Sequence, residues 1–167
     1  VALPHLDAAY NLARWLTRDE HDAEDVVQNA YLRAFRSFDG FRGGDGRAWL
    51  LAIVRNASYS WLQQKQGQML SAPFDEELHG GAYDTFNPER LVMQSADNQT
   101  LKEALEDLPV EFREVVILRD LEGLSYKEIA SVSDTPIGTV MSRLARGRKR
   151  LQRFLTARWS KEPSHDL

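Results

Sequence analysis

Cysteine is absent from the 167 residues, which removes disulfides and thiolate metal sites and fits a reducing compartment. No run of about eighteen apolar residues occurs, so no segment is built to cross a bilayer. The opening Val1-Ala2-Leu3-Pro4 lacks the charged stretch ahead of an apolar one that marks an export signal. The expected location is cytoplasmic, with no insertion into a membrane, and Val1 in place of an initiator Met reads as a trimmed start. The four histidines, at 5, 21, 79 and 165, form no His-x-x-x-His pair, and there is no Ser, His and Asp arrangement or glycine-rich phosphate loop. Neither an enzyme nor a bound metal or cofactor is expected. Strand-like alternation is missing as well.

What remains is helical periodicity. Ala23, Val26, Val27, Ala30, Tyr31, Ala34, Phe35 and Phe38 recur at the spacing of one buried stripe, with Asp22 as the expected N-cap. Leu6, Tyr10, Ala13 and Leu16 supply a helix before it, and Leu50, Ile53, Val54, Ala57 and Trp61 one after it, enough for a small bundle. From about Gln66 to Asn87 the periodicity fails. Gly67, Pro73, Gly80, Gly81 and Pro88 punctuate a stretch carrying Asp75, Glu76, Glu77 and Asp84, which reads as a flexible acidic linker. Asn87-Pro88 then opens a new helix, and Pro109 another that stops at Gly123. The expected architecture is all-α: a first domain over 1–66, a linker over 67–87 and a second domain over 88–161.

The formal charge of -4 conceals a polarity along the chain. Residues 67–135 hold five basic and fifteen acidic groups, whereas residues 136–167 hold eight basic and two acidic. A polyanion responds to the local field of a basic face, so the acidic total does not argue against nucleic acid. The basic end belongs to a recognisable unit. Ser125-Tyr126-Lys127-Glu128 has the form of a capping box that starts a helix carrying Ile129, Ala130 and Val132 inward. After the turn Ser133-Asp134-Thr135, Pro136 starts a second helix with Ile137, Val140 and Leu144 on one side and Thr139, Ser142, Arg143 and Arg146 on the other, continuing into Arg148, Lys149, Arg150 and Arg153. Two short helices across a tight turn make a helix-turn-helix. Taken alone, the basic run is a solvated helical face; behind a capped helix and a tight turn, it is the major-groove reader of a DNA-binding domain.

These residues carry a resemblance. Leu108-Pro109, Arg113, Leu121-Glu122-Gly123-Leu124-Ser125-Tyr126-Lys127-Glu128-Ile129-Ala130 and Pro136-Ile137-Gly138-Thr139-Val140-Met141-Ser142-Arg143-Leu144-Ala145-Arg146 resemble domain four of the extracytoplasmic-function (ECF) sigma factors of the sigma-70 family. Asp22-Ala23-Glu24-Asp25-Val26-Val27-Gln28, Leu32-Arg33-Ala34-Phe35, Phe41-Arg42-Gly43, Trp49-Leu50 and Ile53-Val54-Arg55-Asn56 resemble domain two. The resemblance implies a factor that binds core RNA polymerase and directs promoter recognition and transcription initiation under the control of a membrane-associated anti-sigma factor. It implies contacts to the polymerase β′ clamp helices through Asp22, Asp25, Gln28, Asn29, Leu32, Arg33 and Arg36, and to the β flap through domain four. Arg47, Asn56, Tyr59 and Ser60 would meet the minus-ten element; Thr139, Met141, Ser142, Arg143, Ala145, Arg146 and Lys149 would meet the minus-thirty-five element.

Independently of the family, Leu32 lies off the buried stripe among mixed charges, as a partner interface would have it. Asp22, Glu24 and Asp25 suit N-capping better than metal binding. In the family, the loop from Asp39 to Gly46 and the helix beyond it melt the minus-ten element, and Phe38, Phe41, Trp49 and Tyr59 offer stacking surfaces or core packing.

Three departures from the family stand out. A lone Lys65 among Gln63, Gln64, Gln66 and Gln68 replaces a basic cluster. Ser133 and Thr135 stand where apolar residues are usual, and Asp134 where Gly is common. Two other readings fit less of the chain. A dimeric helix-turn-helix regulator leaves the N-terminal domain unexplained, and a helical hydrolase has no catalytic constellation. A sigma-like partner-binding module with weakened promoter recognition is a third. As a coil, residues 67–87 span roughly 25 Å, against a limit near 70 Å if stretched. The two domains are therefore expected to close under an inhibitor and to separate on polymerase.

Overall fold

A computed structural model describes residues 5–37, 46–71 and 96–161, and all its regular elements there are helical. In chain order these are α1 (Leu6–Thr17), α2 (Glu20–Arg36), α3 (Gly46–Ser71), α4 (Ala96–Asp107), α5 (Val110–Val116), a π-helical turn (Ile117–Leu121), α6 (Tyr126–Ser133) and α7 (Ile137–Lys161). The expected loop from Asp39, with Phe38 and Phe41, lies outside the described residues. So do most of the expected linker and the Asn87-Pro88 helix start.

Helices α1, α2 and α3 pack mutually through short or branched apolar side chains one turn apart: Ala9, Leu12, Ala13 and Leu16; Ala23, Val26, Val27, Ala30 and Ala34; Leu50, Leu51, Val54 and Ala57. Alanine on all three lets the axes approach closely. The entry to α2 differs from expectation by one turn: Asp19, not Asp22, is the N-cap, and its carboxylate accepts from the Asp22 amide at 2.9 Å. Asp22 sits in the first turn, where a negative charge still favours the helix dipole. Phe35 also departs from its expected place. It is 78% exposed beside Leu32 at 60%, because the small Ala30 and Ala34 already fill the seam with α1 and α3. Helix α3 continues through Gly67 to Ser71. One glycine costs a helix about 1 kcal/mol, and the glutamines around it are good helix formers, so the punctuation signal loses.

The second half is built on α5, the π turn, α6 and α7. Gly123, at φ +73°, ends the π turn in the left-handed region. Its neighbour Leu124 is buried, and the Leu124 amide reaches back to the Leu118 carbonyl at 2.9 Å. The capping box forms as expected: the Ser125 hydroxyl accepts from the Glu128 amide at 3.1 Å, and the Glu128 carboxylate accepts from the Ser125 amide at 2.9 Å.

The two halves do not stand apart. α1 packs on α5 and the π turn, α3 packs on α6, and one buried cluster runs from Ala9 through Val54 to Leu118 and Leu144.

Candidate nucleic-acid interface

The helix-turn-helix consists of α6, the turn at Asp134 and α7. Asp134 adopts φ +52°, the left-handed geometry that aspartate tolerates in place of glycine, and its amide caps α6 on the Ala130 carbonyl. The two polar departures are internally satisfied. Buried Ser133 donates its hydroxyl to the Ile129 carbonyl at 2.7 Å and lies 2.8 Å from the Thr135 hydroxyl. The Pro136 carbonyl accepts from the Val140 amide at 3.1 Å, so Pro136 immediately precedes the first helical residue, Ile137.

Val140 and Leu144 are buried against this framework as expected, but Ile137 is 45% exposed. It stands at the first turn, one turn before the exposed Met141. Ser142, Ala145, Arg146 and Lys149 are exposed with it, while Thr139 and Arg143 are half-buried. Five of the seven expected minus-thirty-five residues are therefore exposed, and the other two half-exposed. Arg148 is otherwise engaged: its Nε and Nη2 grip Asp120 of the π turn at 3.1 and 2.5 Å.

On α2, Asp25, Gln28, Asn29, Leu32, Arg33 and Arg36 are all exposed, and Asp22 is half-buried with its carboxylate 3.6 Å from Lys65. Burial, then neighbouring Asp19, raises the Asp22 carboxyl above its ordinary value, with Lys65 working against them. Lys65 also lies over the Trp61 ring at 4.6 Å, so this lone basic group is committed within the bundle. Phe35 extends the exposed α2 face with an aromatic ring. Its i, i+3 spacing from Leu32 was the available signal; counting it into the buried stripe obscured it.

The four expected minus-ten residues on α3 do not share one fate. Asn56 is exposed and Ser60 half-buried. Arg47 donates to the Glu122 carbonyl and lies 4.0 Å from the Glu122 carboxylate. Tyr59 donates its phenol to Glu114 Oε2 at 2.7 Å. Arg55, one turn before Tyr59, donates Nε to Glu114 Oε1 at 2.6 Å and stacks its guanidinium 4.0 Å from the Tyr59 ring centre. Burial and the adjacent Glu114 push the Tyr59 phenol far above its ordinary range. Burial works against the Arg55 charge, but its bond to Glu114 outweighs that and holds the guanidinium more firmly protonated. Neither Glu114 nor Arg55 had been assigned a role from the sequence. A carboxylate at the edge of the apolar run Val115 to Leu118 was the only signal for Glu114.

A third tie crosses the same seam. Arg113, nearly fully buried, donates to the Glu106 and Leu108 carbonyls at 3.0 and 3.1 Å and to the Leu16 carbonyl of α1 at 3.4 Å. Its Nε is buried without a partner among the described residues, and burial, then Arg18, pulls its pKa down to about 10. Among the described residues no cluster of His, Asp and Glu is suited to a metal ion, and no helix is long and apolar enough to cross a membrane.

Comparison with known proteins agrees with both halves of this architecture. The family profile for sigma-70 region 2 matches residues 2–68, and that for sigma-70 region 4 matches residues 98–151. The chain is 37% identical over 151 residues to the ECF RNA polymerase sigma factor SigE of Mycolicibacterium smegmatis, covering 90% of this chain but 58% of that protein. It is 36% identical over 135 residues to the ECF RNA polymerase sigma-E factor of Escherichia coli K12, covering 77% of this chain and 71% of that one. Among solved structures, the sigma factor RpoE in complex with the anti-sigma factor NepR from Bartonella quintana superimposes with a TM-score of 0.76 at 32% identity, over 92% of this chain and 93% of that one. CnrH in complex with the cytosolic domain of CnrY gives 0.66 at 26% identity, over 93% and 84%. With region 2 and region 4 in order, a shared two-domain fold and relatives above one-third identity, this chain belongs to the ECF sigma factors of the sigma-70 family.

Proposed function

We propose that the chain binds core RNA polymerase and carries it to promoters, with α2 docking on the β′ clamp helices, α3 meeting the minus-ten element, and the α6–α7 unit meeting both the minus-thirty-five element and the β flap. One observation carries this reading: a single chain exposes an apolar and polar docking face on α2 and, separately, a helix-turn-helix whose second helix has no carboxylate along its length. A stand-alone DNA-binding regulator has no use for the first, and a simple interaction module none for the second.

On α7, Thr139, Met141, Ser142, Ala145 and Arg146 face bases, with Ile137 and Met141 offering apolar surface to thymine methyl groups. Arg143 and Lys149 hold phosphates. The factor acts in the cytoplasm. Its inhibitor is a membrane-associated anti-sigma protein; the solved RpoE structure holds the anti-sigma factor NepR, and the solved CnrH structure holds the cytosolic domain of CnrY. Run-off transcription with purified core polymerase on promoters recovered by selection tests the assignment. Polymerase that starts at discrete sites only when this chain is added supports it; no factor-dependent transcript overturns it.

A further inference from the structure

Helix α3 contains no carboxylate from Gly46 to Ser71, yet its basic groups are not free for DNA. Lys65 is paired with Asp22 inside region 2, and two acidic residues of region 4 hold the other two, Arg47 and Arg55. Glu114 of α5 is fully buried and accepts from both Arg55 and Tyr59, while Glu122, just past the π turn, takes Arg47. Glu114 meets Arg55 as a phosphate oxygen would, by a charge-assisted bond, with the Tyr59 ring stacked on the same guanidinium. Released, Arg55 and Tyr59 stand one turn apart on α3 as a phosphate-binding cation and a base-stacking ring. The reading surface of α7 stays open in the same arrangement.

We propose that the chain closes on itself without a partner protein, using Glu114 as a phosphate mimic that occupies Arg55 and Tyr59, so that this cation and ring on the minus-ten side of α3 are masked while the minus-thirty-five face is not. The masking half of this statement rests on the assignment of α3 to the minus-ten element; the closure half does not. The seam has the energetics of a latch rather than a permanent interface. A buried ion pair roughly offsets its own desolvation, and the Arg113 Nε left unbonded across the seam costs further. Opening returns Glu114, Arg55 and Arg113 to water.

The absence of cysteine allows two dyes to be placed uniquely, through Glu24→Cys on α2 and Thr156→Cys on α7, both exposed positions. Single-molecule energy transfer on the free full chain reads closure without any DNA. Wild type should give one dominant high-transfer population. Glu114→Gln, which keeps the shape and removes the charge, should move at least a threefold larger share of molecules to low transfer, and Arg47→Ala should do so from the other side of the seam. Circular dichroism confirms that each variant remains folded.

A free wild-type chain already at low transfer overturns the closure, and two folded variants that both keep the wild-type distribution overturn Glu114 as its latch. Binding to random-sequence single-stranded DNA is then compared between wild type and Glu114→Gln. A gain of threefold or more supports masking; opening with no gain overturns the masking and the assignment of α3 while closure stands.

Discussion

Gly138 and Gly147 lie on the same helix and are expected to respond in opposite ways to the same change. A Cβ on Gly147 would lie 2.9 Å from Val116 Cγ2 and 3.4 Å from both the Cβ and the carbonyl oxygen of Phe112. Val116 is β-branched and buried in α5, so it has no free rotamer into which to retreat. Gly147→Ala should therefore destabilise the fold by about 1 kcal/mol net, the overpacking exceeding the gain in helix propensity. A Cβ on Gly138 meets nothing within 4 Å, so Gly138→Ala should stabilise by about 0.5 kcal/mol. Thermal melting of the two variants checks both signs; equal shifts would mean that α5 and α7 are not in contact at Gly147. Sequence alone treats these glycines alike, because what separates them is a neighbour on another helix. Ser133 shows the converse. It reads as a flaw in an apolar position, but its hydroxyl is satisfied by its own helix and by Thr135 two residues on, a local bond invisible to a polarity pattern.

The helices themselves were largely legible, because capping and periodicity are local. The Ser125 to Glu128 capping box, the left-handed Asp134 and the stop at Gly123 all appear where the residue types place them. What was not legible depends on which neighbour fills a seam. Phe35 has the spacing of the α2 stripe, but alanines already close that seam, and the residue is left exposed, as Leu32 is. The consequence is testable on α2: Leu32→Ala and Phe35→Ala should each weaken core polymerase binding by about 1 kcal/mol or more, and charge reversal at Asp25 should add to either. The same variants should leave the DNA affinity of the chain's helix-turn-helix unchanged. Polymerase affinity indifferent to all three would mean that another face docks.

Helix α7 divides its work in a similarly checkable way. Arg146→Ala should cost about 1 to 3 kcal/mol on the preferred sequence and flatten preference at one or two positions, whereas Lys149→Ala should weaken all sequences alike and lower the salt slope by roughly one. Arg148→Ala should change the salt slope less than Lys149→Ala, since Asp120 already neutralises Arg148. Affinities at several salt concentrations on matched and singly substituted DNA separate the three residues.

At the scale of the whole molecule, the sequence indicated two units and the likeness to known sigma factors, but not that the units share a core. The residues that join them, Arg113 to Leu16 and Glu114 to Arg55, are distant in the chain and carry no periodic signal. The seam sets a condition on function. On the proposed assignment, region 2 and region 4 meet promoter elements that are separated along the duplex, so a chain bound to polymerase and DNA must break the contacts of α1 and α3 with α5 and α6. Polymerase then binds only the open fraction, and its apparent affinity falls in proportion to how rarely the chain opens. The exposed Glu24 and Thr156 label positions serve for this measurement as well. Titrating core polymerase into the doubly labelled chain should replace high energy transfer with low. If the Glu114 latch is worth about 1 kcal/mol net, Glu114→Gln should lower the polymerase concentration at the midpoint by roughly fivefold. A transfer distribution unchanged at saturating polymerase would mean that the closed arrangement is itself the polymerase-bound form, and that α3 approaches DNA from a side other than the one Arg55 and Tyr59 occupy.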